Sequence, residues 1–138
     1  MYRLVDEPPT LDEYLELRRA SGLSPKTPEQ GAPALTGNWY FCHVRSDDDH
    51  ADPGRAVAMG RIIGDGGWYF HIADIATLPE FQRQGLGRMV MDRLLDEIRA
   101  KAPADPYVTL LADPPGRRLY ESLGFVDADP SLGMRIRL

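Results

Sequence analysis

Apolar positions along this chain follow two rhythms. At residues 11–17 and 86–98 they recur every three or four residues. Leu11, Tyr14, Leu15 and Leu17 form the first stripe; Leu86, Met89, Val90, Leu94 and Ile98 form the second. Each predicts an amphipathic helix with one buried face. Elsewhere the apolar residues gather in short runs at 2–5, 38–45, 55–63, 68–77 and 107–112. These runs favour β-branched and aromatic residues and predict strands. The run at 68–77 is almost continuously apolar, as expected of a central strand covered on both faces.

Polar and turn residues punctuate these runs. Thr10 followed by Glu13 has capping-box spacing at the first helix, and Gly22 suits its end. A second short helix is expected from Thr27, with Pro28 in its first turn. The cluster "GDGG" at 64–67 predicts a turn between hairpin strands. Asp113 and Pro114 suit the cap and first position of a short helix. Leu119, Tyr120 and Leu123 would form its inner face, and Gly124 its stop. Residues 125–126 and 134–138 are expected to close the sheet. The resulting order is β-α-α-β-β-β-α-β-α-β(-β). Strand 68–77, helix 85–101 and strand 107–112 form a β-α-β unit, so those strands should be parallel with a right-handed crossover. The fold class expected is α/β (α+β), with a mixed, mostly antiparallel central sheet flanked by helices. Its 138 residues fit one domain spanning 1–138.

Composition narrows the function. The formal net charge is −5, which speaks against a general nucleic-acid binder. No apolar run approaches the roughly 20 residues of a membrane helix, and residues 1–10 lack a signal core. Cys42 is the only cysteine, which fits a reducing cytosol, so the chain reads as cytoplasmic. His43 and His50 have no partners at metal-ligand spacing, so no metal is inferred.

The stretch "EFQRQGLGRMVMD" at 80–92 carries the most chemistry. Gln82, Arg83 and Arg88 surround Gly85 and Gly87, where the long helix starts. Main-chain N–H groups at a helix N-terminus lack intrahelical partners and favour an anion. Arginine adds paired donors for phosphate. On its own the stretch reads as either a plain helix start or a phosphate socket. It misses the dinucleotide fingerprint G-x-G-x-x-G.

"QRQGLG" at 82–87 resembles the Q/R-x-x-G-x-G/A motif of the Gcn5-related N-acetyltransferase (GNAT) superfamily. "DIATLPE" at 74–80 is similar to that family's central strand and loop, and "RLYESLGF" at 118–125 to its late L-Y-x-x-x-G-F helix. The resemblance covers essentially the whole chain. It implies acetyl-CoA (coenzyme A) as cosubstrate. The diphosphate would sit on Gln82, Arg83, Gln84, Gly85, Leu86, Gly87 and Arg88. The pantetheine arm would run beside Ile75, Ala76 and Thr77, pairing with an open strand edge.

The resemblance also places the catalytic groups. Tyr120 matches the tyrosine that protonates the departing sulfur; otherwise it is an inner-face helix residue. A phenol near pKa ~10 is protonated at neutral pH and can donate. His71 falls where some members carry a catalytic glutamate or histidine, and would deprotonate the amine. The alternative for His71 is a core histidine with a satisfied ring. Under strict alternation it shares a face with Ala73, Ile75 and Thr77, unless the family's strand bulge intervenes. Asp74 is the second candidate base, since a carboxylate in an apolar strand needs a reason to be there. It would bind the acceptor's ammonium group or cap a loop. Asp113 stands where members often carry Asn, so an amide contact there is not carried over.

The activity implied is acetyl transfer to a primary amine of a small molecule, by direct attack in a ternary complex. A protein lysine or N-terminal acetyltransferase, or a CoA-binding sensor without catalysis, remains open. Trp39, Tyr40, Trp68 and Tyr69 read first as ordinary strand packing, with an aromatic wall for an arylalkylamine as the alternative; the acidic loop at 47–52 reads first as a solvated loop, with attraction of a polyamine or an amino sugar as the alternative. No nucleic-acid or membrane partner is expected, and a homodimer is compatible with the sequence.

Overall fold

The computed structural model describes residues 1–47 and 54–138. The loop at 48–53, which carries His50 and most of the acidic run, lies outside the described residues. Among the described residues, five strands form one sheet: β1 (Tyr2–Val5), β2 (Tyr40–Ser46), β3 (Arg55–Gly64), β4 (Tyr69–Thr77) and β5 (Tyr107–Leu110). They lie in chain order, β1-β2-β3-β4-β5. All neighbours are antiparallel except β4 and β5, which are parallel. Four α-helices accompany them among the described residues: α1 (Leu11–Ala20), α2 (Pro28–Thr36), α3 (Leu86–Lys101) and α4 (Arg117–Ser122). The mixed sheet and its parallel β-α-β unit are as expected.

Local chemistry starts the helices. Thr10 and Glu13 close the capping box of α1, bonding at 3.2 Å and 3.1 Å. Thr27 and Gln30 do the same for α2, with Pro28 in its first turn. A cap of this kind stabilises a helix by about 1 kcal/mol. Tyr14 and Leu17 bury the inner face of α1. Leu86, Val90, Met91, Leu94 and Ile98 bury the inner face of α3. Burying side chains of this size contributes about 1.5–3 kcal/mol each. Cys42 lies fully buried within the same core.

A bulge re-aims β4. Arg61 pairs with Ala73 and Met59 with Ala76, so Gly60 opposes both Asp74 and Ile75. Asp74 takes φ +57° to admit the extra residue. Before the bulge, His71 and Ala73 share a face with Arg61 and Phe41, against which Tyr14 of α1 stacks. Past it, Ile75 turns to the α3 side. A Cβ on Gly60 would sit 2.6 Å from Ile75 Cδ1 and 2.6 Å from Val90 Cγ1. The strict alternation that put His71, Ile75 and Thr77 on one face is therefore corrected by the bulge.

The expected closing strands at 125–126 and 134–138 are absent among the described residues. Asp127, Asp129, Pro130 and Gly133 interrupt the stretch. The remaining residues run past Leu111 without joining β5. Asp113 also departs from expectation. It precedes a short 3-10 turn (Pro114–Gly116), and its side chain makes no capping bond.

Candidate active site

A cleft of about 940 Å³ opens where β4 and β5 part. Their ladder runs from Tyr69–Tyr107 to Ile72–Leu110 and stops. Residues 73–77 therefore have no β5 partner on that edge, and all five line the cleft. Leu110, Leu111 and Asp113 face them from the β5 side. An extended, amide-bearing molecule could add to such an edge as a further strand does.

The loop after β4 forms the floor. Gln82 Nε2 donates to the Thr77 carbonyl at 3.1 Å, tying the loop to the strand end. Arg83 (φ +62°) and Gly85 (φ +80°) adopt left-handed backbone, which turns the chain sharply into α3. Gly85 is the N-cap, and its lack of a side chain leaves the first N–H groups of α3 uncapped. The first turn of α3 has no acidic residue, in contrast to α1 and α2. Gly87 allows α4 to close in, with Leu119 Cδ2 3.3 Å from where its Cβ would be.

Gln82, Arg83, Gly85, Leu86, Gly87 and Arg88 all line the cleft. Arg83 has no ion-pair partner among the described residues. Arg88 reaches Ser122 Oγ at 3.1 Å and lies 3.9 Å from Asp92. Free N–H donors and two guanidinium groups at one helix start suit a diphosphate, and each such contact contributes about 0.3–1 kcal/mol at an exposed terminus. Gln84 departs from the expected set: it accepts a hydrogen bond from the Tyr2 hydroxyl and is not part of the cleft wall.

Tyr120 projects from α4 into the cleft. Its ring packs edge-on against Phe125 at 6.2 Å. Its hydroxyl makes no hydrogen bond among the described residues. Burial, followed by the nearby Asp113 carboxylate, raises its pKa above the usual phenol value. The group is therefore a protonated donor near neutrality, aimed at open space.

His71 stands one residue before the cleft wall begins at Ile72. Its Nδ1 lies 2.8 Å from Thr109 Oγ1 on β5. Burial, then the Arg61 charge, lowers its pKa, so the imidazole is neutral at pH 7. Asp74 lines the cleft, but its carboxylate is already engaged. Tyr14 donates to it at 2.6 Å, Arg61 Nε at 2.7 Å, and Arg18 Nη1 pairs with its other oxygen. Arg61 in turn reaches Asn38 Oδ1 at 2.8 Å.

Sequence reading missed Tyr14, Arg18 and Arg61 as partners of Asp74. The signal available was the carboxylate itself, which demanded cations from other elements. At the α1 exit, Ser21, Gly22 and Leu23 also reach the cleft. The four aromatic residues pack along the strands, as their leading reading had it, and form no wall in the cleft. Trp39 packs on Phe70 at 4.8 Å, Tyr40 donates to Asp6 beneath Arg93, and Trp68 and Tyr69 meet Tyr107. None of the four lines the cleft.

Known proteins resemble this chain in sequence and fold. Residues 38–127 match the family described as an acetyltransferase (GNAT) domain. A structure of a probable acetyltransferase of unknown function from Staphylococcus aureus is 35% identical, with a TM-score of 0.90 and 100% of each chain covered. Serotonin N-acetyltransferase 2 of rice, a chloroplastic protein, is 37% identical over 64% of this chain and 44% of its own length. The ribosomal protein bS18-alanine N-acetyltransferase of Salmonella typhimurium is 36% identical over 53% of this chain and 48% of its own. The chain thus spans less than half the length of these two relatives.

Proposed function

This chain belongs to the GNAT acetyltransferase family, and from that premise we propose that it transfers an acetyl group from acetyl-CoA to a primary amine of a small molecule, by direct attack in a ternary complex. One observation carries the reading. The uncapped start of α3, the open edge of residues 73–77 and the unpartnered Tyr120 hydroxyl all face one cleft.

Each residue then has a task. N–H groups at the start of α3, with Arg83 and Arg88, hold the diphosphate. The main chain of Ile75, Ala76 and Thr77 aligns the amide-bearing arm. Acetyl-CoA, when bound, supplies an activated thioester and a thiol leaving group. Tyr120 holds a proton at its phenol oxygen for the departing sulfur. His71, kept neutral by burial and Arg61, takes the proton of the attacking ammonium at its free ring nitrogen. Asp74 serves as an anchor: with both oxygens bonded, it fixes Tyr14, Arg18 and Arg61 around the bulge.

A protein N-terminus is the second reading, favoured by the name of the ribosomal-protein relative. Coenzyme A calorimetry tests the premise, and mass spectrometry of acetylated products across amines, amino acids and peptides tests the acceptor. Heat on injecting the coenzyme, with acetylation of small amines, supports the proposal. Acetylation of peptides alone supports the second reading. Coenzyme binding with no acceptor acetylated would point to a sensor. Absence of coenzyme binding would end all three.

A further inference from the structure

The turn at 82–85 has little main chain to hold its shape. The N–H groups of Arg83, Gln84 and Gly85 find no acceptor among the described residues. Free N–H groups are what an anion needs, but a turn that keeps them free forgoes the bonds that would fix it. Arg83 adds a second cost. A residue other than glycine stays at φ +62° only where its surroundings hold it there. Two glutamine side chains supply that hold. Gln82 reaches back to the Thr77 carbonyl at 3.1 Å. Gln84 reaches instead to β1 and accepts from the Tyr2 hydroxyl.

Tyr2 comes from the other side of the sheet, with β2 and β3 lying between β1 and β4. Tyr2, Ser46 and Arg55 form one row across β1, β2 and β3. Both ends of that row reach Phe81, which lines the cleft just before the turn. The Tyr2 ring meets Phe81 edge-on at 6.3 Å, and the Arg55 guanidinium stands 5.8 Å from the Phe81 ring centre. Arg55 also pairs with Glu80 at 3.2 Å. Tyr2 thus touches the chain on both sides of Gln82 and Arg83, at Phe81 before them and Gln84 after. We propose that Tyr2 is a positioning residue for coenzyme binding: through Gln84 and Phe81 it fixes the 82–85 turn, with its N–H groups free, before the diphosphate arrives. This rests on the proposed function, which puts the diphosphate at that turn. The chemistry of the tether suits an anion site. A phenol and an amide are both neutral, so the turn is held without a carboxylate beside the ligand. The start of α1, by contrast, is held by the carboxylate of Glu13. A turn already ordered spares the coenzyme the cost of ordering it on binding. The effect of Tyr2 therefore falls on coenzyme affinity.

Calorimetry with coenzyme A and 15N relaxation of the free protein, both on the full chain, test this without any activity readout. Tyr2→Phe keeps the ring against Phe81 and removes only the hydroxyl. It should weaken coenzyme A about three- to tenfold, as loss of one hydrogen bond does. Gln84→Leu should weaken it by a similar factor, and the double variant by little more, since both break one tether. Order parameters of residues 83–85 should fall in both variants while those of β1 and β2 hold. Far-UV circular dichroism should show every variant folded. Wild type that binds the coenzyme no better than Tyr2→Phe would overturn the proposal. So would losses that multiply in the double variant, or weaker binding with the turn as ordered as before. No heat from the wild type is a different failure: it removes the proposed function, and this inference with it.

Discussion

A Cβ placed on Gly116 would lie 2.9 Å from Tyr120 Cε2 and 3.0 Å from the Tyr120 hydroxyl oxygen. Gly116 has φ −91° and ψ −12°, a backbone any residue adopts. Its glycine is therefore a matter of space rather than conformation, and the space is taken by the phenol.

Gly116→Ala should accordingly act through Tyr120. The ring must shift, carrying the hydroxyl away from where the proposed function puts the departing sulfur. We expect kcat to fall by about ten- to a hundredfold, the low end for a general acid because a thiolate leaves readily. Coenzyme affinity should stay within about twofold. Tyr120→Phe should give a similar loss, and the double variant little more, since both remove one interaction. Steady-state kinetics and coenzyme calorimetry on the three variants check this; losses that multiply would separate the two residues.

His71 gives the pH dependence its direction. Burial and Arg61 hold its pKa below the ordinary 6.5. Activity limited by a neutral His71 should rise as pH climbs through that lowered value, and the limb should lie below pH 6.5. The same shift has a stability consequence. The folded state resists protonation, so the contribution is present above pH 6.5 and lost as pH falls through the lowered pKa. A pH–rate profile of kcat/KM should lose its acid limb in His71→Gln. A limb that survives the substitution removes the histidine from proton transfer.

Asp74→Asn distinguishes an anchor from a base. Asparagine tolerates the φ of +57° and nearly matches the shape, so charge is what changes. Arg18 and Arg61, at 11% and 15% side-chain exposure, would face no counter-charge. Removing one member of a buried ion network costs about 3–5 kcal/mol. Thermal denaturation should show a large drop in Tm. The acid limb of the rate profile should persist, moved if anything to lower pH by the uncompensated Arg61 charge; its disappearance would make Asp74 the base.

Acid should loosen the junction of α1 with the sheet. Burial alone pushes the Glu13 carboxyl up, but bonds from Arg45, Thr10 and Ala56 outweigh it and bring the pKa down to about 2. Arg45 contributes two contacts, at 2.9 Å and 3.1 Å, and the Ala56 N–H a third at 3.1 Å. A lowered folded pKa means stability present above 4.5 and lost as pH falls from 4.5 towards about 2. Glu13→Gln should be less stable at neutrality and show a flatter decline through that window. Urea denaturation at several pH values measures both.

Local signals carried much of this fold. Thr10 and Glu13 announced α1, and the three-and-four spacing of Leu86 to Ile98 announced α3, because both depend on neighbours within a turn. Gly85 was readable for the same reason: the turn needs its backbone freedom. Relations between distant residues were not readable. Asp74 meets Tyr14 and Arg18 across separations of 60 and 56 residues, and no local pattern names such partners. The bulge at Asp74 reverses the side-chain parity of β4, so alternation alone misplaced Ile75 and Thr77. Residues 134–138 have the rhythm of a strand but not its neighbour, and rhythm cannot supply one.

Cys42 has a practical consequence. It is the only cysteine, it is 0% exposed, and burial pushes its thiol up to about 12. The folded chain thus presents no reactive sulfur near neutrality. A chromogenic disulfide reagent added during turnover would report liberated coenzyme alone, free of background from the enzyme. A cysteine engineered anywhere on the surface would take up a fluorophore uniquely, with no need to mutate the native one first.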